Sequence, residues 1–551
     1  MKNIYKIVLS VCLLSCLSCN ENDWLQEEPL DFYTPGNSFS KPSDFNSAIA
    51  RIYKNVFPTL LNINSNAGRA MHYPSDMVWD AIDVTHDLNL YEDKMTPTTN
   101  VVQDLWTNLY RMIFDANVVL GRIDDPSLVF DSEEQRNGFK AEAMFFRALA
   151  YRTLAVFYGG VPIVLEETTT PRRDFERASK DAVIDQALSD LQFAVENLPE
   201  VTELKEDGRL TKAVANHLLT EVYIIKGDYS SAISAANEVI NNPNYELMKN
   251  RFGSRMTEQG DVYWDLFRRN NQNRSSGNRE SLWVRQFEYL VDGGGADNPW
   301  PRFLIPMYWQ LKGADDENLF IGPSNAYGGR GIGWYAPTLY ARDVIWENAE
   351  NDIRTSDNNI LRDIVANNPN SAFYGQKIVE SGAIDDFPNI LDRWWNVIFT
   401  KIAPVNNFPD EFVLNPETGL LNNSSNNMLT DQYIFRLAET YLLRAEAHFL
   451  NGDPGSAAAD INVVRDRSSA PLISAAEVDM DYILDERSRE LAWEELRVFT
   501  LMRTGKFIER VKQYNPVTGD RIADHQSVWP IPFREIETNT EVKLVQNPGY
   551  F

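Results

Sequence analysis

His72, His86, His217, His448 and His525 are the chain's only histidines, and no two of them stand four residues apart, the spacing that a helical zinc pair requires. The three cysteines, Cys12, Cys16 and Cys19, fall within the first nineteen residues, so the body of the chain has no thiol to complete a metal site. Neither a Gly-x-Ser-x-Gly elbow nor a Gly-x-x-x-x-Gly-Lys phosphate loop occurs. The run Gly329-Arg330-Gly331-Ile332-Gly333 misses the dinucleotide spacing and has no strand-to-helix frame. Asp315-Asp316-Glu317 and Asp385-Asp386 could supply paired carboxylates for glycoside hydrolysis only if the fold sets two of them across a cleft, and in so acidic a chain they read first as solvated surface. Asp292, Asp297 and Asp315 are candidate oxygen ligands for calcium, but their spacing matches no calcium loop. The reading is of a protein without catalytic residues, cofactor or metal.

Aromatic residues offer a different chemistry. A sugar presents C–H patches on one face and hydroxyls at its edge, so a flat ring flanked by amide, carboxylate or guanidinium groups can grip it without altering it. Trp300, Trp309, Phe320, Tyr327, Trp334 and Tyr335 lie close together, interleaved with Asn298, Arg302, Asn325 and Arg330. Tyr73 and Trp79 form a second group in Tyr73-Pro74-Ser75-Asp76-Met77-Val78-Trp79-Asp80. Trp300, Trp309, Trp334 and Tyr335, set among Gly, Pro and polar residues, are expected on an exposed binding surface. Trp283 alternates with apolar neighbours and reads as core, as do Trp394 and Trp395 ahead of another apolar run.

The elements that must carry these rings divide into two textures. From 100 to 250 the apolar spacing is helical, with one stripe at Leu105, Leu109, Met112, Ile113 and Ala116 and another at Ala143, Phe146, Leu149, Ala150 and Leu154. Gly227-Asp228-Tyr229-Ser230-Ser231-Ala232 punctuates two such helices and resembles a tetratricopeptide helix-turn-helix unit. A second copy stands at Gly452-Asp453-Pro454-Gly455-Ser456-Ala457. Between the copies the chain is rich in Gly, Asn, Pro and Trp, the texture of loops with a few short strands, Glu280 to Tyr289 among them. The expected fold is therefore mainly α: a tetratricopeptide-like helical-repeat scaffold over 41–251 and 431–551, carrying a large, irregular, loop-rich ligand-binding insertion over 252–430.

The 551 residues carry 79 Asp+Glu against 52 Lys+Arg, a formal charge of −27, which argues against binding a phosphate backbone; no nucleic-acid partner is expected. Lys2 and Lys6 precede an apolar run from Ile7 to Leu17, the pattern of a secretory signal too short to span a bilayer comfortably. A cysteine after such a run, followed by Asn20, Glu21, Asn22 and Asp23, resembles a bacterial lipobox. Cys19 sits directly before the hydrophilic stretch and is the preferred lipid acceptor, with Cys16, in Leu13-Leu14-Ser15-Cys16, the alternative. This reading makes 1–18 a signal peptide and 19–40 an extended segment beside the anchor, with the lipid as the only membrane attachment.

Three stretches resemble the SusD/RagB family of outer-membrane glycan-capture lipoproteins. They are the helix Arg436-Leu437-Ala438-Glu439-Thr440-Tyr441-Leu442-Leu443-Arg444-Ala445-Glu446-Ala447, the helix Asp485-Glu486-Arg487-Ser488-Arg489-Glu490-Leu491-Ala492-Trp493-Glu494-Glu495-Leu496-Arg497, and the ending Trp529-Pro530-Ile531-Pro532-Phe533 through Gln546-Asn547-Pro548-Gly549-Tyr550. The first departs from the family pattern by one shift at Leu437. In the second, Glu490, Glu494, Glu495, Arg489 and Arg497 are expected to pair at helical spacing on a solvated face; in the third, the prolines set an extended path packed over the scaffold. The resemblance implies a surface-exposed protein, lipid-anchored at the outer membrane, that captures a glycan and delivers it to a SusC-like TonB-dependent transporter. It also places Tyr73 and Trp79 near the ligand. Two other readings stand beside it: a peptide-binding import component of the RagB type, and a lipid-anchored glycan hydrolase.

Overall fold

The computed structural model describes residues 38–83, 85–384 and 393–550. The lipid acceptors Cys19 and Cys16, the signal reading at 1–18 and the Asp385-Asp386 pair lie outside them. Among the described residues no helix is long and apolar enough to cross a membrane.

The scaffold is an array of antiparallel helices: α1 (Asn100–Arg122), α2 (Glu133–Tyr158), α3 (Lys180–Asn197), α4 (Lys212–Lys226), α5 (Tyr229–Ile240), α6 (Leu437–Leu450), α7 (Pro454–Arg467) and α8 (Met480–Leu491). Each starts where local chemistry allows. Ser132 caps α2 by accepting from Gln135 N at 3.2 Å, and Thr211 caps α4 through Val214 N at 3.3 Å. The α4–α5 and α6–α7 turns are built alike. Gly227 and Gly452 take φ of +86° and +84°, which a side chain resists, and the next residues, Asp228 and Asp453, cap the following helix through Ser231 N at 3.1 Å and Ser456 N at 3.0 Å.

These two hairpins, distant in sequence, are neighbours in space. Helix α5 packs on α6, with Ile224, Ala232, Leu443 and Ala447 in one buried cluster. Arg444 joins three helices, donating to Asn237 Oδ1 at 2.6 Å and to Asp460 Oδ2 at 2.9 Å. The long excursion between α5 and α6 thus leaves the repeat array uninterrupted. Its ends are zipped together by an antiparallel pair, β2 (Ser281–Arg285) with β4 (Gln432–Arg436), in which Ser281 faces Arg436 and Arg285 faces Gln432. Trp283 on β2 is fully buried among Tyr53, Phe145, Phe146 and Phe435, which fixes the root of the excursion in the scaffold core. A second short pair, β1 (Val78–Asp80) with β3 (Tyr335–Pro337), ties its middle to the amino-terminal part. The outer part has a core of its own around Ile305, Tyr308, Leu319, Phe320, Ile378 and Trp395.

Helix α8 departs from the solvated face expected of it. Glu490 and Glu486 are closed to solvent; the helix ends at Leu491 rather than running on to Arg497 as expected, and beyond that end Glu495 and Arg497 are nearly closed. Charges so placed persist only when paired, and the partners come mostly from other elements. Arg354 Nη1 donates to Glu486 at 2.8 Å and to Glu490 at 3.2 Å, Arg436 Nη1 to Glu490 at 3.0 Å, and Arg465 Nη1 to Glu486 at 2.7 Å. Within the helix Arg489 pairs with Glu486, a residue outside the expected set, at 2.8 Å. At the carboxy terminus Trp529 is buried between Phe157 and Tyr158, and the extended path is broken by a short helix, Phe533–Thr538.

Candidate functional site

The glycine-rich run is a lace threaded through the outer core. Tyr308 Oη donates to Gly329 O at 2.9 Å, Arg330 N donates to Ser425 O at 2.5 Å, Ile332 N to Arg302 O at 2.8 Å and Gly333 N to Ile305 O at 3.0 Å. A Cβ at Gly331 would stand 2.1 Å from Ile305 O, and one at Gly333, whose φ is +57°, 2.1 Å from Arg393 O. The glycines therefore serve close backbone approach rather than a phosphate.

The lace gathers side chains from three segments. Trp309 Nε1 donates to Gly331 O at 2.8 Å, and the Arg330 guanidinium lies 5.4 Å from the Trp309 ring centre. Trp334, at the other end, packs on Phe303 with ring centres 5.1 Å apart, and Arg302 lies 5.9 Å from it. Arg393 donates from Nη2 to Ile332 O at 3.2 Å and lies 5.5 Å from the ring of Trp394. Trp309 and Trp334 are half-buried and Trp394 is 39% exposed. The loop after β1 borders them: Ala81 N donates to Trp334 O at 2.7 Å, and Ile82 is exposed. Rings that are held from below and open above are platforms for an apolar ligand face, and guanidinium groups beside them can donate to its polar edge.

Of the residues singled out in the sequence, Trp309, Trp334, Arg302 and Arg330 meet here. The others do not. Trp300 is 1% exposed, set edge-on to His72 at 4.9 Å; Tyr335, Tyr73 and Trp79 are buried around the β1–β3 pair. Asn298 is buried and structural, donating to Gln432 Oε1 at 2.8 Å and accepting from Trp300 N at 3.1 Å. Tyr327 is half-buried and bound through its hydroxyl to both polar groups of Val365, at 3.0 Å each. The correction has one cause. Polar sequence neighbours do not expose a ring when the chain folds back over it, and the junction between excursion and scaffold needed large apolar groups to fill it.

Trp394, expected in the core, lies at the surface, and Arg393 beside it was not singled out in the sequence. Trp395 is buried at 2% while Trp394 faces out, and the signal was the adjacent Trp pair itself: in a non-helical chain successive side chains point to opposite sides.

Near the site, burial and then the Arg69 charge push the His86 imidazole down, with Arg69 Nη1 2.7 Å from His86 Nε2. Burial raises Asp80, whose carboxylate accepts from Ile82 N and Asp83 N at 3.0 and 3.1 Å. Asp315 accepts from Ser371 Oγ and Ala372 N at 2.9 and 2.7 Å, a loop-holding role. Among the described residues no group of three or more His, Cys, Asp or Glu is placed to hold a metal ion.

Comparison with known proteins gives this architecture a context. Residues 335–550 match the family model described as "SusD family", and residues 23–224 match one described as "Starch-binding associating with outer membrane". The chain is 26% identical to SusD-like protein P25 of Formosa agariphila, covering 97% of both chains. It is 26% identical to the starch-binding protein SusD of Bacteroides thetaiotaomicron, covering 78% of this chain and 75% of that one. Among solved structures, a laminarin binding SusD-like protein superposes with a TM-score of 0.67 at 24% identity, covering 92% of this chain and 99% of the other. Surface glycan-binding protein A from Bacteroides thetaiotaomicron, in complex with laminarihexaose, does so with a TM-score of 0.66 at 20% identity, with coverages of 92% and 99%. The mainly helical fold is shared with these proteins.

Proposed function

The chain belongs to the SusD/RagB family, and on that premise we propose that it is a cell-surface lipoprotein that captures a glycan and hands it, uncleaved, to a SusC-like TonB-dependent transporter of the outer membrane. The observation that carries this reading is the lace. Trp309, Trp334 and Trp394 are partly open rings, each beside a guanidinium, and the run from Arg330 to Gly333 is fixed by backbone bonds to Ser425, Arg302 and Ile305.

Such a surface binds by stacking on C–H faces. Because the platforms are already held, little ordering cost is charged against the contact. Nothing in the arrangement requires a bond in the sugar to break. Anchoring through a lipid at Cys19 leaves the scaffold free to dock on the transporter, and two apolar chains or more at that residue would hold it at the membrane.

Retention in polysaccharide-affinity gels tests the reading. Alanine at Trp309, Trp334 and Trp394 together is expected to abolish retention with a folded protein left behind. New reducing ends after incubation with a glycan panel would show cleavage and refute non-catalytic capture.

A further inference from the structure

Among the described residues, three guanidinium groups on this surface have no acidic partner. The protein is strongly anionic, and elsewhere its carboxylates consume cations closely: Arg354, Arg436 and Arg467 are buried against Glu486, Glu280 and Glu490. Other arginines without a carboxylate, such as Arg268, spend N–H groups on backbone carbonyls, here Trp264 O at 3.2 Å.

Arg302, Arg330 and Arg393 differ. Each lies within 6 Å of a partly open tryptophan ring, and the ε nitrogen of each is buried with no hydrogen-bond partner. Among the described residues none of the three forms an ion pair, and Arg393 alone donates, to Ile332 O and to the Met307 sulfur. The acidic loop after β1 is engaged within itself. Asp83 is held by Thr85 N and Oγ1, at 2.8 and 2.6 Å, and Asp80 by its own backbone turn.

The three are strung along one short segment. Arg330 starts it, Arg393 bonds to Ile332 O in its middle, and Arg302 lies by Trp334 at its end; four residues span at most about 13 Å. A half-buried guanidinium left without an anion is costly, and its planar fork suits carboxylate, sulfate and phosphate oxygens.

Resting on the reading of this surface as a glycan site, we infer that its ligand is an anionic glycan, one whose repeating units carry carboxylate or ester-sulfate groups spaced to meet Arg302, Arg330 and Arg393 while the sugar faces stack on Trp334, Trp309 and Trp394. The rings then supply affinity for saccharide in general and the arginines the choice of charged over neutral chains.

The test pairs charged and neutral forms of the same polymer, offered to the full chain: polygalacturonate against its methyl ester, and sulfated against unsulfated laminarin. At least one charged form is expected to bind about tenfold or more tighter than its neutral twin, the worth of one charge-assisted hydrogen bond, and to weaken as salt is raised. The two pairs separate carboxylate from sulfate. Arg302→Gln, Arg330→Gln and Arg393→Gln combined should bring charged and neutral forms to equal affinity. Should that variant fail to fold, Arg330→Gln alone and the salt dependence of the unaltered chain decide. Equal binding of both twins by the unaltered chain overturns the inference and leaves glycan capture standing, as does a preference that survives the substitutions. Retention of no glycan from a broad panel removes the glycan reading and the inference with it.

Discussion

Glu490 and Arg436, 54 residues apart in sequence, meet with both side chains closed to solvent, Arg436 Nη1 donating to Glu490 Oε1 at 3.0 Å. The same carboxylate also receives Arg467 and Arg354. It is the point where β4, α7, α8 and the excursion are locked together. Burial by itself would raise this carboxyl, and the Arg467, Arg436 and Arg354 charges overcome it and hold it well below the usual range. Glu490→Gln keeps the shape but removes the carboxylate that three buried cations share; each keeps another acidic partner in Glu486 or Glu280, so the loss lies at the low end for a broken buried pair, about 3 kcal/mol. A fall in unfolding free energy of that size, read as a lower urea midpoint at unchanged slope, is expected; a variant as stable as the parent would show that the network carries no net stability.

Acid should act on the fold in two stages. Burial pushes the His72 imidazole down to about 4, whereas the unfolded side chain titrates near 6.5. Between these values the unfolded chain binds the extra proton, so the contribution is complete above pH 6.5 and is lost as pH falls toward 4, at most about 3 kcal/mol. Below about 4.5 a second loss begins, because Glu486 and Glu439 are held at about 2: burial opposes this, Arg354 overcomes it at Glu486, and hydrogen bonding to His217 with the Arg487 charge overcomes it at Glu439. Their contribution is present above the unfolded carboxyl range and disappears as pH drops through the folded values. Unfolding free energies measured from pH 7 to 3 should show both stages, and His72→Gln should flatten only the first.

Two glycines should respond to alanine in opposite ways. At Gly452 the φ of +84° is the whole constraint, since an added Cβ meets nothing within 4 Å, and the expected cost is about 1 kcal/mol with glycan retention intact. Gly331→Ala puts a methyl group 2.1 Å from Ile305 O, so the lace must move and retention should fall more than melting temperature does. Comparable retention in the two variants would detach the lace from binding.

Tryptophans sort the same way. Trp300→Ala opens the buried junction and should cost about 3–5 kcal/mol. Trp309→Ala and Trp334→Ala each remove a partly open platform, and each should weaken glycan binding about three- to tenfold at a smaller cost in stability than Trp300→Ala. Calorimetry and gel retention on the three single variants separate the roles.

The helices and the paired turns at Gly227-Asp228 and Gly452-Asp453 were legible in the sequence, because a left-handed φ and the turn chemistry around it act within a few residues. So was the absence of a thiol from the body of the chain. The same spacing that fixed α8 as a helix concealed the burial of its Glu490 and Glu486, since their arginine partners arrive from β4, α7 and the excursion.

Which ring would face solvent was settled only by the fold. Trp300 and Trp334 sit in similar glycine- and proline-rich surroundings, yet one fills the seam between excursion and scaffold and the other lies open beside Arg302. The sequence determined local geometry and the supply of aromatic and charged groups, both set by short-range sterics and composition. Tertiary structure decided which of them are exposed together, because burial depends on segments far along the chain that pack over a residue, and no neighbour in sequence records them.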